Sequence, residues 1–328
     1  MSQWIEFFLQ PEMVRLVVAL VALAAFVGLN ALVLVLMERK LAGHFQRRPG
    51  PYEVGPHGTL QPLADALKLV GKQLFTPNGA DTFLFWLAPI LAFLPLFILF
   101  IPIEFGPGLY GLDFNLGILL VLAFAGFSVL SLCIAGWGSN NKYALLGAAR
   151  AVAQSVAYEI PLLLSVLAIA FMTGTLDLAV MVDGQGSWPW EWNFVYQPVA
   201  FIIYFTCAVA ETNRAPFDLP EGESELTAGY HTEYSGMGFG LFFLAEYTEM
   251  VIVSCIATVL FLGGWKGPIV DGIWWFAIKV YVLVFLMIWF RWTYPRIRFD
   301  QMLNICWKWM IPLALLNLFV TAVVMKIV

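Results

Sequence analysis

An all-α, polytopic membrane protein is the fold class this sequence predicts, and three observations predict it. Hydrophobic residues fill 61% of the 328 positions and charged residues only 12%, where soluble proteins carry about 25% charge. The mean hydropathy is +0.83. Eight apolar runs each approach or exceed the roughly 20 residues a helix needs to cross a bilayer. The bases also fall unevenly between the loops. The runs are continuous, which excludes the alternating ten-residue segments of an outer-membrane barrel.

The runs follow in order. Span one covers 13–37, is uncharged after Arg15, and is too long for a signal-peptide core, so it reads as retained. Span two, 82–103, is punctuated by Pro89, Pro95 and Pro102. Span three is 114–138. Span four, 151–175, contains Glu159. Span five is 194–213. Span six, 238–263, contains Glu246 and Glu249. Spans seven and eight are 273–292 and 304–326. The chain reads as a single membrane domain over 1–328.

With the loop after span one inside, the inner side collects thirteen of the 17 Lys and Arg residues and the outer side four. The positive-inside rule then places both termini outside. Trp188, Trp190 and Trp192 fall in an outer loop; Trp289, Trp292, Trp307 and Trp309 bracket the last inner one. These are aromatic-belt positions. The net charge of −5 and the lack of a basic tail give nucleic acid no footing.

Two inner loops are long, 38–81 and 214–237. In the first, Leu60, Leu63, Leu67, Val70 and Leu74 recur at helical spacing, with Pro62 suited to a first turn. Asp65 and Lys68 fall off that stripe and are spaced to pair with each other. The pattern predicts a short helix lying in the interface. The second loop belongs to the stretch Glu211–Glu249, which holds eight of the 22 carboxylates, one base (Arg214) and one histidine (His231). Asp218 precedes Glu221 by three residues, the spacing of a capping box for a helix starting near Leu219. Capping leaves Glu223 and Glu225 unexplained. On such a helix Asp218, Glu221 and Glu225 would share a face and repel, so the loop reads either as a solvated cap or as a proton-exchanging funnel.

Carboxylates inside spans cost about 2.5–3.5 kcal/mol on insertion scales and usually serve a function. Glu246 and Glu249 sit three apart in span six, and Glu159 is followed by Pro161, which frees a backbone carbonyl nearby. The bland alternative is an ion pair of Glu159 with Arg150. Glu38 ends span one, and anchoring by Arg39 and Lys40 does not explain an acid there. The four cysteines lie far apart and form no CxxC pair, and no GxGxxG or phosphate-loop pattern sits in a strand–helix context. No metal site or redox cofactor of the chain's own is expected.

Six motifs together resemble one family: GTLQPLADALK (Gly58–Lys68), PFDLPEGESELTAG (Pro216–Gly229), ERK (Glu38–Lys40), RAVAQSVAYE (Arg150–Glu159), AETNR (Ala210–Arg214) and LAEYTE (Leu244–Glu249). They are similar to the H-type membrane chains of respiratory complex I (NADH–quinone oxidoreductase), the bacterial equivalents of mitochondrial NADH dehydrogenase subunit 1. The resemblance covers the whole chain. It implies a subunit in the bacterial inner membrane that is not catalytic alone. With soluble partner subunits it would form the chamber in which quinone, the substrate, is reduced. NADH, FMN and iron–sulfur clusters would be held by partners; small membrane subunits and antiporter-like subunits would adjoin it. Arg39, Asp65, Lys68 and the loop carrying Phe217, Asp218, Glu221, Glu223 and Glu225 would lie at the chamber and its mouth. Glu159, Glu211, Glu221, Glu223, Glu225, Glu233 and Glu246 would form the polar route onward, joined by Glu38, Arg150, Arg214 and Glu249 from the reading of charges in or beside the spans. A membrane-bound hydrogenase subunit shares these motifs, and an ion-coupled transporter would also set carboxylates in broken helices.

Overall fold

The computed structural model describes residues 11–109, 111, 114–220, 222–268 and 270–327, with side chains except at 11–17, 19, 223 and 224. All regular structure among the described residues is helical. Helix α1 is Pro11–Phe45, α2 Gln61–Gly71, α3 Thr82–Leu99, α4 Gly117–Gly138 and α5 Lys142–Thr173. Short helices α6 (Leu178–Asp183) and α7 (Asn193–Tyr196) lead to α8 (Pro198–Glu211) and the single-turn α9 (Glu223–Leu226). Helices α10 (Gly236–Phe261) and α11 (Ile273–Thr293) follow, then α12 (Phe299–Ile305), a π-helical turn at Cys306–Met310, and α13 (Ile311–Ile327).

Seven described segments are long and apolar enough to cross a membrane. The chain is a multi-pass membrane protein. The predicted span five is the difference. It forms a helix of only 14 residues, Pro198–Glu211, about 21 Å at 1.5 Å per residue. Pro198 has no N–H to extend the helix backwards, and Gln197 leaves helical geometry at φ −131°, ψ 58°. At the other end Asn213 turns to φ 51°. In the last span, Pro312 cannot donate to the carbonyl of Lys308 four residues back, and the backbone widens into the π turn just before it.

Local signals set the helix ends. Asp81 accepts from the N–H groups of Phe83 and Leu84 at the start of α3 (3.1 and 3.3 Å). Asn141 caps α5 through Tyr143 N–H (2.9 Å), and Gly174 ends α5 in the left-handed region at φ 69°.

Helix α10 is the axis of the molecule. Every residue from Ala245 to Phe261 is buried, both glutamates included, and α1, α2, α3, α8 and α11 surround it. Helices α1, α4 and α13 instead turn apolar residues outward, such as Val21, Leu29, Leu119, Leu316 and Phe319. That is the surface of a protein whose solvent is lipid, where apolar exposure costs nothing. Gly147 of α5 lies where an added Cβ would come within 2.8 Å of Gly229 Cα and 2.9 Å of Pro220 O. Only glycine lets Pro220 and Gly229 seat that closely against α5.

Candidate functional site

Three layers of charge and space meet around α10. The outermost is a cleft of about 580 Å³ between α1, α2 and α10. Its walls include Gly28, Leu32, Val35, Leu69, Phe239 and Phe243, and its polar groups are Arg39, Asp65, Lys68 and Lys72. Helix α2 forms as the periodicity predicts. Its stripe is uncovered by the rest of the chain: Leu63 is 46% and Leu67 64% exposed. Asp65 does not take Lys68 as its partner. It forms a close ion pair with Arg39 of α1 and accepts from Gln61 Nε2 (3.1 Å). The long Arg39 side chain reaches across the cleft mouth, so tertiary approach of α1 decides the pair.

A second cleft of about 500 Å³ shares Arg39, Phe243 and Tyr247 with the first and adds Glu38, Arg48, Arg291 and Trp292. Glu38 is its buried acid, with 6% of the residue exposed. Tyr247 OH donates to Glu38 Oε2 (2.6 Å), and Arg291 of α11 pairs closely with Oε1.

Behind Glu38 lies the third layer. The Arg214 guanidinium stands between two carboxylates, 3.5 Å from Glu38 Oε2 and 3.5 Å from Glu246 Oε2. It also covers the Tyr247 ring at 4.4 Å, a cation–π contact. Glu246 accepts from Tyr230 OH (2.9 Å) and faces His231 Nε2 at 3.5 Å. The side chains of Arg214, Glu38, His231 and Glu246 are all at most 10% exposed. Buried charges persist when paired and hydrogen-bonded, and here the pairing forms one continuous line from cleft to core.

Deeper still, two voids of about 30 Å³ each carry the remaining acids. One is bordered by Glu211, Glu249 and Tyr204. The other is bordered by Glu159, Glu211, Tyr158 and Cys207. Each has room for a water molecule, with the carboxylates set in an otherwise mostly apolar lining. Glu211 borders both, so it links Glu249 of α10 to Glu159 of α5.

The acidic loop departs from its capping reading. No helix starts at Leu219: Leu219 and Pro220 form a turn, and Gly222 stands at φ 34° before α9. Phe217 and Leu219 are buried, with the Phe217 ring 5.2 Å from Tyr158. Buried Gln154 of α5 donates to Ala210 O (2.7 Å) and Phe217 O (3.0 Å). These tertiary contacts outweigh the cap. Asp218 and Glu225 therefore do not share a helical face. Glu221 lies outside the described residues, as does the side chain of Glu223.

Arg150 does not pair with Glu159. It bonds Glu225 Oε2 at 2.5 Å, and that hydrogen bond, with the guanidinium charge, holds the Glu225 carboxyl below the usual carboxylate range. Glu233 accepts from Asn141 Nδ2 at 2.6 Å. Arg150, Glu225 and Glu233 thus sit at the edge of the cluster, each with a partner on another element.

Sequence reasoning missed Tyr247, Tyr230, Arg291, Gln154 and the role of His231. Tyr247 had a signal, standing between Glu246 and Glu249 in LAEYTE. Arg291 entered only as one of the thirteen bases counted on the inner side.

The model of the NADH dehydrogenase family matches residues 17–322. The chain is 48% identical over 323 residues to the H subunit of NADH-quinone oxidoreductase from Desulfotalea psychrophila, covering 95% of this chain and 97% of that one. It is 48% identical over 309 residues to the corresponding H subunit from Dehalococcoides mccartyi (94% and 86% covered). It is 45% identical over 317 residues to that from Carboxydothermus hydrogenoformans (95% and 90%).

Proposed function

This chain belongs to the NADH dehydrogenase family, whose relatives here are named as subunits of NADH-quinone oxidoreductase, and from that premise we propose that it forms the quinone chamber and couples quinone reduction to proton movement. The cleft between α1, α2 and α10 takes the quinone: its apolar walls suit an isoprenoid tail, and Arg39, Asp65 and Lys68 suit a polar head group at the mouth. Electrons come from carriers on partner subunits, and soluble partners cover the inner face. The fifth of the eight spans is α8, helped across the bilayer by its flanking segments. Helix α2 lies in the interface on its leucine stripe. The chain sits in the bacterial inner membrane with both termini outside, as the distribution of Lys and Arg supports.

Reduction of a quinone to a quinol takes up two electrons and two protons, so it changes the charge and proton demand in the chamber. Glu38 borders the adjoining cleft, which shares Arg39, Phe243 and Tyr247 with that chamber. The observation that carries the proposal is Arg214, held at 3.5 Å from both Glu38 and Glu246. A proton gained or lost at Glu38 alters the hold of the guanidinium on Glu246, and interacting sites of this kind titrate together. From Glu246 the change passes to Glu249, Glu211 and Glu159. Phe217 and Asp218 shape the loop side of the chamber. Arg150, Glu225 and Glu233 act at its rim.

The test is Glu246→Gln in the assembled enzyme, which keeps shape and removes the titratable charge. Proton translocation per quinone reduced should collapse while assembly stays near wild type. Normal translocation in an assembled variant refutes the route.

A further inference from the structure

Lys279 of α11 is a buried base that the route above does not use. It is 6% exposed. Its ammonium donates to three backbone carbonyls just past the end of α10, those of Leu262, Gly264 (3.0 Å) and Lys266 (2.6 Å). The Trp192 ring closes the remaining side, its centroid 4.1 Å from Nζ. Three acceptors match the three N–H donors of an ammonium; a neutral amine has two. Carbonyl oxygens plus an aromatic face are the elements of a site for a primary ammonium ion.

The position matters as much as the chemistry. Leu262 follows Glu249 by thirteen residues, roughly 20 Å along a helix, so the cradle closes the end of α10 remote from the acidic loop. Other carbonyls of that end are also taken. Gln185 Nε2 donates to Val259 O (2.9 Å) and Asn193 Nδ2 to Leu260 O (2.8 Å). Gly263, at φ 71°, lies where a Cβ would come within 2.8 Å of Trp192. A helix C-terminus carries about half a negative charge. Left bare, those carbonyls would draw cations toward the small void bordered by Glu249, Ile252, Val253 and Ile256.

We infer that the carbonyls of Leu262, Gly264 and Lys266 form an alkylammonium-binding cradle, filled by Lys279 as a tethered cation, which seals the far end of the Glu246–Glu249 helix against proton leakage. The sealing half rests on the carboxylate route proposed above; the cradle half does not.

The experiment uses the assembled complex. Lys279→Ala should lower the temperature at which the detergent-purified complex dissociates, and methylammonium should restore it. Tetramethylammonium, which cannot donate a hydrogen bond, should not. Equal restoration by both ions, or by neither, overturns the cradle. For the seal, a pH gradient is imposed on vesicles carrying Lys279→Met without NADH or quinone, so the reading of the quinone cleft is not involved. The gradient should decay severalfold faster than in wild type; decay at the wild-type rate overturns the seal. Should Lys279→Met fail to assemble, Lys279→Ala assembled in methylammonium and then washed free of it supplies the same measurement.

Discussion

Replacing Arg214 by Met keeps an apolar stem of similar length and removes the guanidinium. Each of its two carboxylate contacts spans 3.5 Å, which at an effective dielectric of about 20 is roughly 5 kcal/mol of gross attraction. The net effect is smaller, because burial of the charges opposes it. Removing one partner of a buried pair typically costs about 3–5 kcal/mol, since the acid left behind stays desolvated. Arg291 still faces Glu38, and Tyr230 and His231 still face Glu246, so the lower end applies. Losing about 3 kcal/mol corresponds to a local opening equilibrium shifted by roughly two powers of ten. Amide hydrogen exchange over 230–250 in the purified complex reads that equilibrium. Adding Glu246→Gln to Arg214→Met should recover at least about 1 kcal/mol, a coupling typical of contacting residues. Unchanged exchange in Arg214→Met, or a double variant equal to the sum of the two singles, would refute the account of Arg214 as the bridge.

Asp65→Ala should raise the quinone KM while shifting thermal stability by less than about 1 kcal/mol, because the pair with Arg39 is substantially exposed at 44% and 33% and such pairs are worth little; a normal KM makes the residue structural only. Arg150→Gln should move the acid limb of the activity profile to higher pH. Arg150 lowers the Glu225 pKa, so the pair's contribution is full above the ordinary carboxylate range and fades as pH falls through the lowered value; without Arg150 that loss begins at higher pH, and an unmoved limb argues against Glu225 at the rim. Gln154→Leu leaves the Ala210 and Phe217 carbonyls without this donor, a cost of about 1–3 kcal/mol for buried acceptors. Exchange in 214–220 should rise while that in α3 stays fixed; equal change in both would mean general destabilisation.

Features that depend on composition and local order could be read directly from the chain. Continuous apolar runs of this length favour helices that cross a bilayer, so the helical class and most helix positions were legible. The leucine period of α2 was legible because 3.6-residue spacing is a property of the backbone. The charged motifs marked the acids as candidates, because a carboxylate in a span has so few uses. Pairing and helix length, by contrast, belong to the folded chain. Asp65 takes Arg39 rather than Lys68, and Arg150 takes Glu225 rather than Glu159, since long side chains choose among neighbours that the fold brings from far along the chain. The acidic loop gives up its helix cap because burying Phe217 against α5, and Leu219 in the core, stabilises more than one capping bond. The 14-residue α8 is as apolar as a full span, and hydropathy sums apolar residues without seeing where Gln197 and Asn213 break the backbone. The bridge from Glu38 through Arg214 to Glu246 joins residues up to about two hundred positions apart. Such a bridge leaves no trace in spacing, because through-space electrostatics depends on distance in the fold and not on separation along the chain.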